Sequence, residues 1–102
     1  MVNIGDRDIR EADIELYLCA QIAKVYGTCE KFRSPGRNNV PDRIVMLPGG
    51  LIFFVECKAP GKQPTPAQQR DHDRRRALGQ AVYVVCTYAD VDRLIAEMSG
   101  QS

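Results

Sequence analysis

The sequence has no long apolar run, and this absence bears on where the protein works. A membrane-spanning helix needs ~20 consecutive apolar residues, and no run of this chain approaches that length. Residues 1–10 contain no apolar core of the kind found in signal peptides. We therefore expect a cytoplasmic protein, in a bacterial or a phage-infected host cell, that has no membrane partner.

Histidine is scarce, and the cysteines are widely spaced. The chain has one histidine and four cysteines, Cys19, Cys29, Cys57 and Cys86. No C-x-x-C pair occurs, so a zinc site is not expected. Three of the cysteines lie inside apolar runs, where a free thiol behaves as a small hydrophobic side chain. We expect no disulfides, because the cytosol keeps thiols reduced.

Neither sign of charge is in excess, but the charges are unevenly distributed. Fourteen Lys and Arg against 13 Asp and Glu give a net charge of +1, which neither favours nor excludes a nucleic-acid partner. Residues 1–15 are acidic, whereas residues 31–43 and 58–76 are basic. The two basic segments could hold a polyanion such as a DNA backbone.

The length and composition predict one folded domain. A chain of 102 residues with 44% apolar and 26% charged residues is close to the average for a globular domain. It contains no internal repeat and no low-complexity segment. We therefore expect a single domain over residues 1–102, with residues 99–102 as a frayed tail.

Periodicity and turn residues predict seven elements. Apolar spacings of three and four, together with capping signals, predict helices that begin at residue 6 or 8 and end at 26, and that cover 66–78 and 90–98. Runs of β-branched and aromatic residues predict strands over 28–33, 42–47, 51–58 and 81–87. Pro48–Gly50 has the composition of a hairpin turn, and helix 66–78 provides a crossover to the last strand. The fold class is α/β, a mixed four-stranded sheet flanked by helices in the order α-β-β-β-α-β-α.

The second predicted helix, 66–78, has very few apolar residues. It is either a solvated helix held at its ends or a helix whose cationic side meets phosphates. His72 is the lone histidine on it, and we expect its side chain at the surface, with a phosphate contact left open.

Three charged residues form the strongest candidate site. On strand 51–58 the alternation of side chains puts Glu56 and Lys58 on the same face, and a charged pair at the end of a buried strand needs a compensating partner. An antiparallel hairpin brings Asp42 to the same end of the sheet. Two adjacent carboxylates repel each other unless a proton or a cation separates them, and Mg²⁺ prefers oxygen ligands. This arrangement predicts metal-assisted hydrolysis at phosphorus, in which the ammonium positions or deprotonates the attacking water.

These residues carry a family resemblance. Val40-Pro41-Asp42 followed by Glu56-Cys57-Lys58 resembles the motif of the PD-(D/E)xK nucleases. Together with Glu15 on the first helix, Ala59-Pro60-Gly61 and Thr65-Pro66-Ala67-Gln68, the order and spacing resemble the virus-type replication-repair nuclease domain, VRR-NUC. The resemblance covers nearly the whole chain and is most specific over residues 42–68.

The resemblance implies a restriction-endonuclease-like fold and a set of site residues. Asp42, Glu56 and the backbone carbonyl of Cys57 would hold Mg²⁺ or Mn²⁺, and Lys58 would be the catalytic lysine. Glu15 and Gln68 would orient water, metal or substrate. A structural ion pair is the less favoured alternative for Glu15, and Gln68 taken alone is adequately explained by a capping box.

Two positions depart from the family pattern. Asn39 stands where many members have glycine before the Val-Pro-Asp step, and asparagine tolerates the left-handed conformation that such a turn requires. The residues after Gln68 are polar, whereas many members have an aromatic or apolar residue there, so the packing of this helix can differ.

By resemblance, the expected activity is that of a metal-dependent DNA endonuclease acting on branched DNA such as four-way (Holliday) junctions, in replication, recombination or repair. A phage enzyme that works as a homodimer fits the size of the chain. The expected contacts to the DNA backbone come from Arg37, Lys62, Arg70, Arg74 and Arg75. Two alternatives stay open: a catalytically inactive nucleic-acid-binding subunit with the same fold, and a scaffold in which Asp42, Glu56 and Lys58 form a salt-bridge cluster.

Overall fold

The computed structural model describes residues 8–100. Its elements are α1 (Glu11–Lys24), β1 (Thr28–Lys31), β2 (Arg43–Leu47), β3 (Leu51–Cys57), α2 (Pro66–Ala77), β4 (Val82–Val85) and α3 (Tyr88–Ser99). The predicted order is confirmed. Ser99, assigned from sequence to a frayed tail, belongs to α3, while residues 101 and 102 and the alternative helix start at residue 6 lie outside the described residues. Within residues 8–100 no helix combines the length and the apolarity needed to cross a membrane.

The strands form one mixed sheet in the order β1-β2-β3-β4. β1, β2 and β3 pair in antiparallel fashion, whereas β4 is parallel to β3 and is reached through the crossover helix α2. The β2–β3 turn follows the pair Leu47 and Leu51. Its Gly49 and Gly50 have φ angles of +92° and +85°, which most side chains disfavour. The turn therefore fixes the β2–β3 register, and this register determines which residues meet at the far end of the two strands.

The sheet has a helical layer on each face. Ile14, Leu18 and Ile22 of α1 pack with apolar residues of α3 and with the inward side chains of the strands to form the buried core. β3 alternates as predicted: Phe53, Val55 and Cys57 join this core, while Phe54 and Glu56 point to the opposite face. That opposite face is covered by α2, which places the polar helix over Glu56.

α1 is shorter than its periodicity predicted, and its two ends explain why. Asp13 reaches back to accept the backbone N–H of Arg10 at 2.9 Å, which stabilises a start at Glu11. At the other end Tyr26 has φ +65°, and the backbone N–H of Gly27 donates to the carbonyl of Ile22 at 3.0 Å. This is a Schellman termination in which tyrosine, rather than glycine, takes the left-handed position.

α2 is held along its inner face by charged groups, so the first of the two alternatives, a solvated helix held at its ends, is wrong. Asp71 is 7% exposed and accepts from Arg75 at 2.7 Å and Arg74 at 3.2 Å, with Arg37 at 3.8 Å. The Arg75 guanidinium lies 5.0 Å and 4.9 Å from the ring centroids of Phe32 and Phe54. Ion pairs and cation–π contacts therefore replace the missing apolar stripe.

Candidate active site

The β2–β3 hairpin brings Asp42 to the end of β3, as predicted. Arg43 pairs with Val55, so the residue before β2 lies next to the last residues of β3. The Asp42 carboxylate accepts the backbone N–H of Cys57 at 2.8 Å. The side chain of Glu56, the residue before Cys57, is completely buried and interacts with the Asp42 carboxylate. Asp42 and Glu56 therefore meet at one end of the sheet.

Pro41 bears on the predicted role of the Cys57 carbonyl. Continuing the β2–β3 register by two residues from the Arg43–Val55 pair places the fully buried Pro41 opposite Cys57. Proline has no amide N–H, so it cannot donate to a carbonyl on the neighbouring strand. Pro41 therefore offers no N–H to the Cys57 carbonyl, whereas the Asp42 side chain accepts the Cys57 N–H.

Glu56 lies in a buried polar cluster beneath α2. Its Oε2 is 3.8 Å from Lys58 Nζ and accepts from Gln68 Nε2 at 3.4 Å, while its Oε1 lies 3.5 Å from His72 Nε2. Burial, followed by the negative charge of Asp42, raises the pKa of Glu56 to about 8, and Lys58 opposes this shift. In the absence of a cation, burial therefore favours the protonated form of this carboxyl group.

His72 is fully buried, so the expectation of a surface histidine is wrong. It lies one turn after Gln68 on the face of α2 that covers Glu56. Burial lowers the pKa of His72, with a further contribution from Arg76, and this favours the neutral ring.

Gln68 serves as a helix cap and also contacts the site. Its backbone N–H donates to Thr65 Oγ1 at 3.1 Å, and its side-chain Oε1 accepts from the Thr65 backbone N–H at 2.9 Å. The amide nitrogen of the same side chain donates to Glu56. The capping box therefore fixes the side chain that orients the carboxyl group.

Glu15 reaches the same end of the sheet from α1, and Glu11 accompanies it. Glu11, Glu15 and Asp42 each offer a carboxylate oxygen, and these atoms lie within 4.8 Å of one another. Glu15 Oε2 also accepts from Arg43 Nε at 3.0 Å, so the structural ion pair considered for it is present as well. Burial, and then the charge of Asp42, raise the pKa of Glu11.

Glu11 was missed by sequence reasoning as a site residue. The available signal was its spacing of four from Glu15, which puts both carboxylates on one face of α1. It was overlooked because residues 1–15 contain several acids and the pattern does not distinguish among them.

The donor set suits a small hard cation. Glu11, Glu15 and Asp42 offer grouped carboxylate oxygens, and Asp42 also interacts with Glu56. Mg²⁺ and Mn²⁺ prefer oxygen ligands, and no sulfur or imidazole group belongs to this carboxylate cluster within residues 8–100. The residues thus fit the ion that the family resemblance implies.

The structure divides the predicted DNA-contacting cations into two groups. The guanidinium groups of Arg37, Arg74 and Arg75 contact Asp71, and the side chain of Arg75 is only 11% exposed. Lys62 and Arg70 are exposed, and neither forms an ion pair with another residue in the 8–100 range.

A cleft opens beside the carboxylates. It has a volume of about 210 Å³ and is lined by Glu15, Lys31, Phe32, Arg33, Val40, Pro41 and Asp42. A groove of about 490 Å³ along loop 32–40 shares Phe32, Arg33 and Val40 with it. In this loop Asn39 has φ +63°, the left-handed conformation predicted from its type. Cationic side chains therefore border the approach to the acidic site.

A mixed sheet that places acidic side chains and a lysine at the end of one strand defines a nuclease-type domain. A scan against models of protein families gave no match. A curated relative from Acyrthosiphon pisum secondary endosymbiont phage 1, "Putative nuclease p44", is 56% identical over 79 residues, which are 78% of this chain and 85% of that protein. A solved VRR_NUC domain has a TM-score of 0.82 and 36% identity, over 86% of this chain and 96% of its own. The chain belongs to the VRR-NUC family.

Proposed function

We propose that the protein is a Mg²⁺- or Mn²⁺-dependent endonuclease that hydrolyses DNA phosphodiester bonds. The observation that carries the proposal is the grouping of Glu11, Glu15 and Asp42, whose carboxylate oxygens lie within 4.8 Å of one another. Asp42 also interacts with the buried Glu56, and Lys58 Nζ lies 3.8 Å from Glu56. Carboxylates that meet at one point repel each other unless a proton or a cation neutralises them, and a divalent cation can neutralise several at once. The same groups then serve phosphoryl chemistry, where negative charge must be offset.

In this proposal each residue has a distinct role. Asp42, Glu56 and the Cys57 carbonyl would hold the ion, and Glu15 and Glu11 would offer further carboxylate oxygens to it. When bound, the ion supplies positive charge at the scissile phosphate. Lys58 Nζ, next to the buried Glu56, would position the attacking water and stabilise the negative charge that develops on the phosphate. Gln68 keeps Glu56 in place through its side-chain amide.

The cleft next to Asp42 is the proposed path of the cleaved strand. Lys31 and Arg33 line it and are exposed, so they can contact phosphates on either side of the scissile bond. Lys62 and Arg70 extend the cationic surface on the α2 side. Branched DNA such as a four-way junction is the proposed substrate, and a homodimer would present two such clefts to it.

The test is a cleavage assay with linear, flapped and four-way-junction DNA in Mg²⁺, Mn²⁺ or chelator. The variants are Asp42→Asn and Lys58→Ala, and Asp73→Asn on the exposed side of α2 is the matched control. We expect metal-dependent cutting of junctions by the wild-type protein and the control, and at least 100-fold slower cutting by the two site variants. Sedimentation at the assay concentration shows whether the protein is a monomer or a dimer.

The alternatives give different results in the same assay. Junction binding without cutting in any metal indicates an inactive DNA-binding subunit. If the wild-type protein neither binds nor cuts DNA, while Glu56→Gln changes only stability, the charged cluster is a scaffold. If linear DNA is cut as fast as junctions in a metal-dependent way, the protein is a nuclease but has no preference for branched DNA.

A further inference from the structure

His72 is a buried polar side chain that the proposed reaction leaves unused. Its ring is completely buried, and within residues 8–100 neither ring nitrogen has a hydrogen-bond partner. Such groups normally find partners, because an unpaired buried donor or acceptor costs roughly 1–3 kcal/mol. An unsatisfied imidazole in the interior of a small domain therefore requires an explanation.

The nearest polar atom to that ring belongs to the site. His72 Nε2 lies 3.5 Å from Glu56 Oε1, and this oxygen is the other buried atom of the pair that lacks a partner. The second oxygen, Oε2, is contacted by Gln68 and Lys58. A small rotation of either side chain would bring Nε2 and Oε1 within hydrogen-bond geometry and so give each of these two atoms a partner.

The position of His72 on α2 is suited to this contact. Gln68 and His72 are four residues apart, so they lie on one face of the helix, and both face the same carboxyl group. The helix is fixed by its capping box at Thr65 and by the Asp71–Arg75 ion pair. Its backbone therefore holds the two side chains at a set distance above Glu56.

We propose that His72 is a positioning residue, whose Nε2–H donates to Glu56 Oε1 and fixes that carboxylate in the orientation that binds the divalent cation. This inference rests on the proposed function. Groups that hydrogen-bond to metal ligands orient them, and their loss typically costs 10–100-fold in metal affinity. The ring touches neither the ion nor the DNA and acts only through Glu56.

The first test is metal binding without DNA, by titration calorimetry with Mn²⁺. We expect His72→Phe, which keeps the ring shape but lacks a donor, to bind Mn²⁺ about 10–100-fold more weakly than wild type. His72→Gln, whose amide nitrogen can replace Nε2–H, should recover most of the affinity. Asp73→Asn on the exposed side of the same helix is the control, because Asp73 pairs with surface groups, and it should leave Mn²⁺ affinity unchanged.

The main result of the second test comes from the wild-type protein, so it does not depend on whether a variant folds. The chain has a single histidine, so its ring ¹⁵N signals are unambiguous in an NMR spectrum recorded with saturating Mg²⁺. We expect the Nε2–H tautomer, and a shift of the Nε2 signal in Glu56→Gln. A ring protonated only on Nδ1 overturns the proposal, as does equal Mn²⁺ affinity in His72→Phe and wild type.

The two proposals can fail separately. If wild-type protein takes up Mn²⁺ and cuts DNA while His72→Phe binds the ion equally well, only the role of His72 is rejected. If the wild-type protein takes up no Mn²⁺ with or without DNA, the metal-dependent function is rejected, and the positioning role is rejected with it.

Discussion

The backbone N–H of Cys57 donates to the carboxylate of Asp42 at 2.8 Å, and this bond joins the end of β3 to the residue that precedes β2. Because Cys57 is fully buried, its N–H has no access to water and depends on this acceptor. Asp42 thus has a structural task in addition to its proposed role as a metal ligand.

The two tasks of Asp42 can be separated with two substitutions. Asp42→Asn keeps an oxygen acceptor for the Cys57 N–H, so we expect its free energy of unfolding to stay close to that of wild type. Asp42→Ala leaves the Cys57 N–H unpaired and should lower the free energy of unfolding by about 1–3 kcal/mol. Both variants should lose Mn²⁺ binding. Urea unfolding and calorimetry measure the two effects, and equal stability of the variants would show that the Cys57 bond contributes little.

Much of this hairpin was predictable from local pattern alone. The alternation in β3, the Pro-Gly-Gly turn and the length of β2 together place Asp42 and Glu56 at the same end of the sheet, and the structure has them there. Such features depend on residues close in sequence, where period and turn chemistry are informative. The order of the seven elements followed from the same signals.

The polar interior of α2 was not predictable in this way. Arg75 is buried because it lies over Phe32 and Phe54, which come from two other parts of the chain, and His72 is buried because Glu56 lies beneath it. A helix with so few apolar residues has no periodic stripe that reveals its inner face. The burial of charged side chains is decided by tertiary partners, which sequence spacing does not show.

The Asp71 cluster should therefore contribute substantially to stability. Asp71→Ala would leave Arg75, only 11% exposed, without its 2.7 Å partner. Breaking such a buried pair costs about 3–5 kcal/mol, and the partial exposure of Arg74 moves our expectation to roughly 2–4 kcal/mol. The control is Asp73→Ala on the same helix, which removes an exposed pair with Arg76 and should change stability by less than ~0.5 kcal/mol. Equal effects in urea unfolding would refute the assignment.

The end of α1 gives a prediction about backbone conformation. Tyr26 is 89% exposed and has φ +65°, a conformation that costs a non-glycine residue roughly 1–2 kcal/mol. Tyr26→Gly should therefore raise the free energy of unfolding by about 0.5–1 kcal/mol after the added chain entropy of glycine. A decrease would mean that the tyrosine ring makes a stabilising contact.

The next residue should respond in the opposite direction. A Cβ on Gly27 would lie 2.6 Å from Leu47 Cδ2 and 2.8 Å from the carbonyl oxygen of Met46. Gly27→Ala should therefore destabilise the chain by about 1–3 kcal/mol through overpacking, measured by thermal unfolding. Together the pair shows that glycine is used here for close approach and not for the turn itself.

Glu56 should make the stability of the metal-free protein depend on pH. Its folded pKa of about 8 lies above the ordinary value of 4.5, so the folded chain binds this proton more tightly than the unfolded chain. The resulting stabilisation is fully present below pH 4.5 and is lost as the pH rises through about 8. The glutamine side chain in Glu56→Gln does not titrate, so the stability of this variant lacks this pH dependence.

We therefore expect the wild-type free energy of unfolding, measured in chelator, to fall from pH 5 to pH 8.5 by at least ~1 kcal/mol more than that of Glu56→Gln. The comparison removes contributions from other groups such as Glu11. Added Mg²⁺ should reduce the fall, since the ion favours the ionised carboxylate. Parallel pH profiles of the two proteins would show that Glu56 is ionised in the folded chain at neutral pH.

The division among the cations predicts how DNA binding responds to salt. Lys62 and Arg70 are exposed and should each contact one phosphate, so Lys62→Ala or Arg70→Ala should reduce the slope of log affinity against log salt by about 1. Arg93→Ala is the control, because Arg93 lies on α3 and pairs with Asp90. Anisotropy titrations with uncleaved junction DNA in Ca²⁺ measure the slopes. Unchanged slopes in both variants, with a reduced slope in Arg93→Ala, would place the DNA on the α3 side of the molecule.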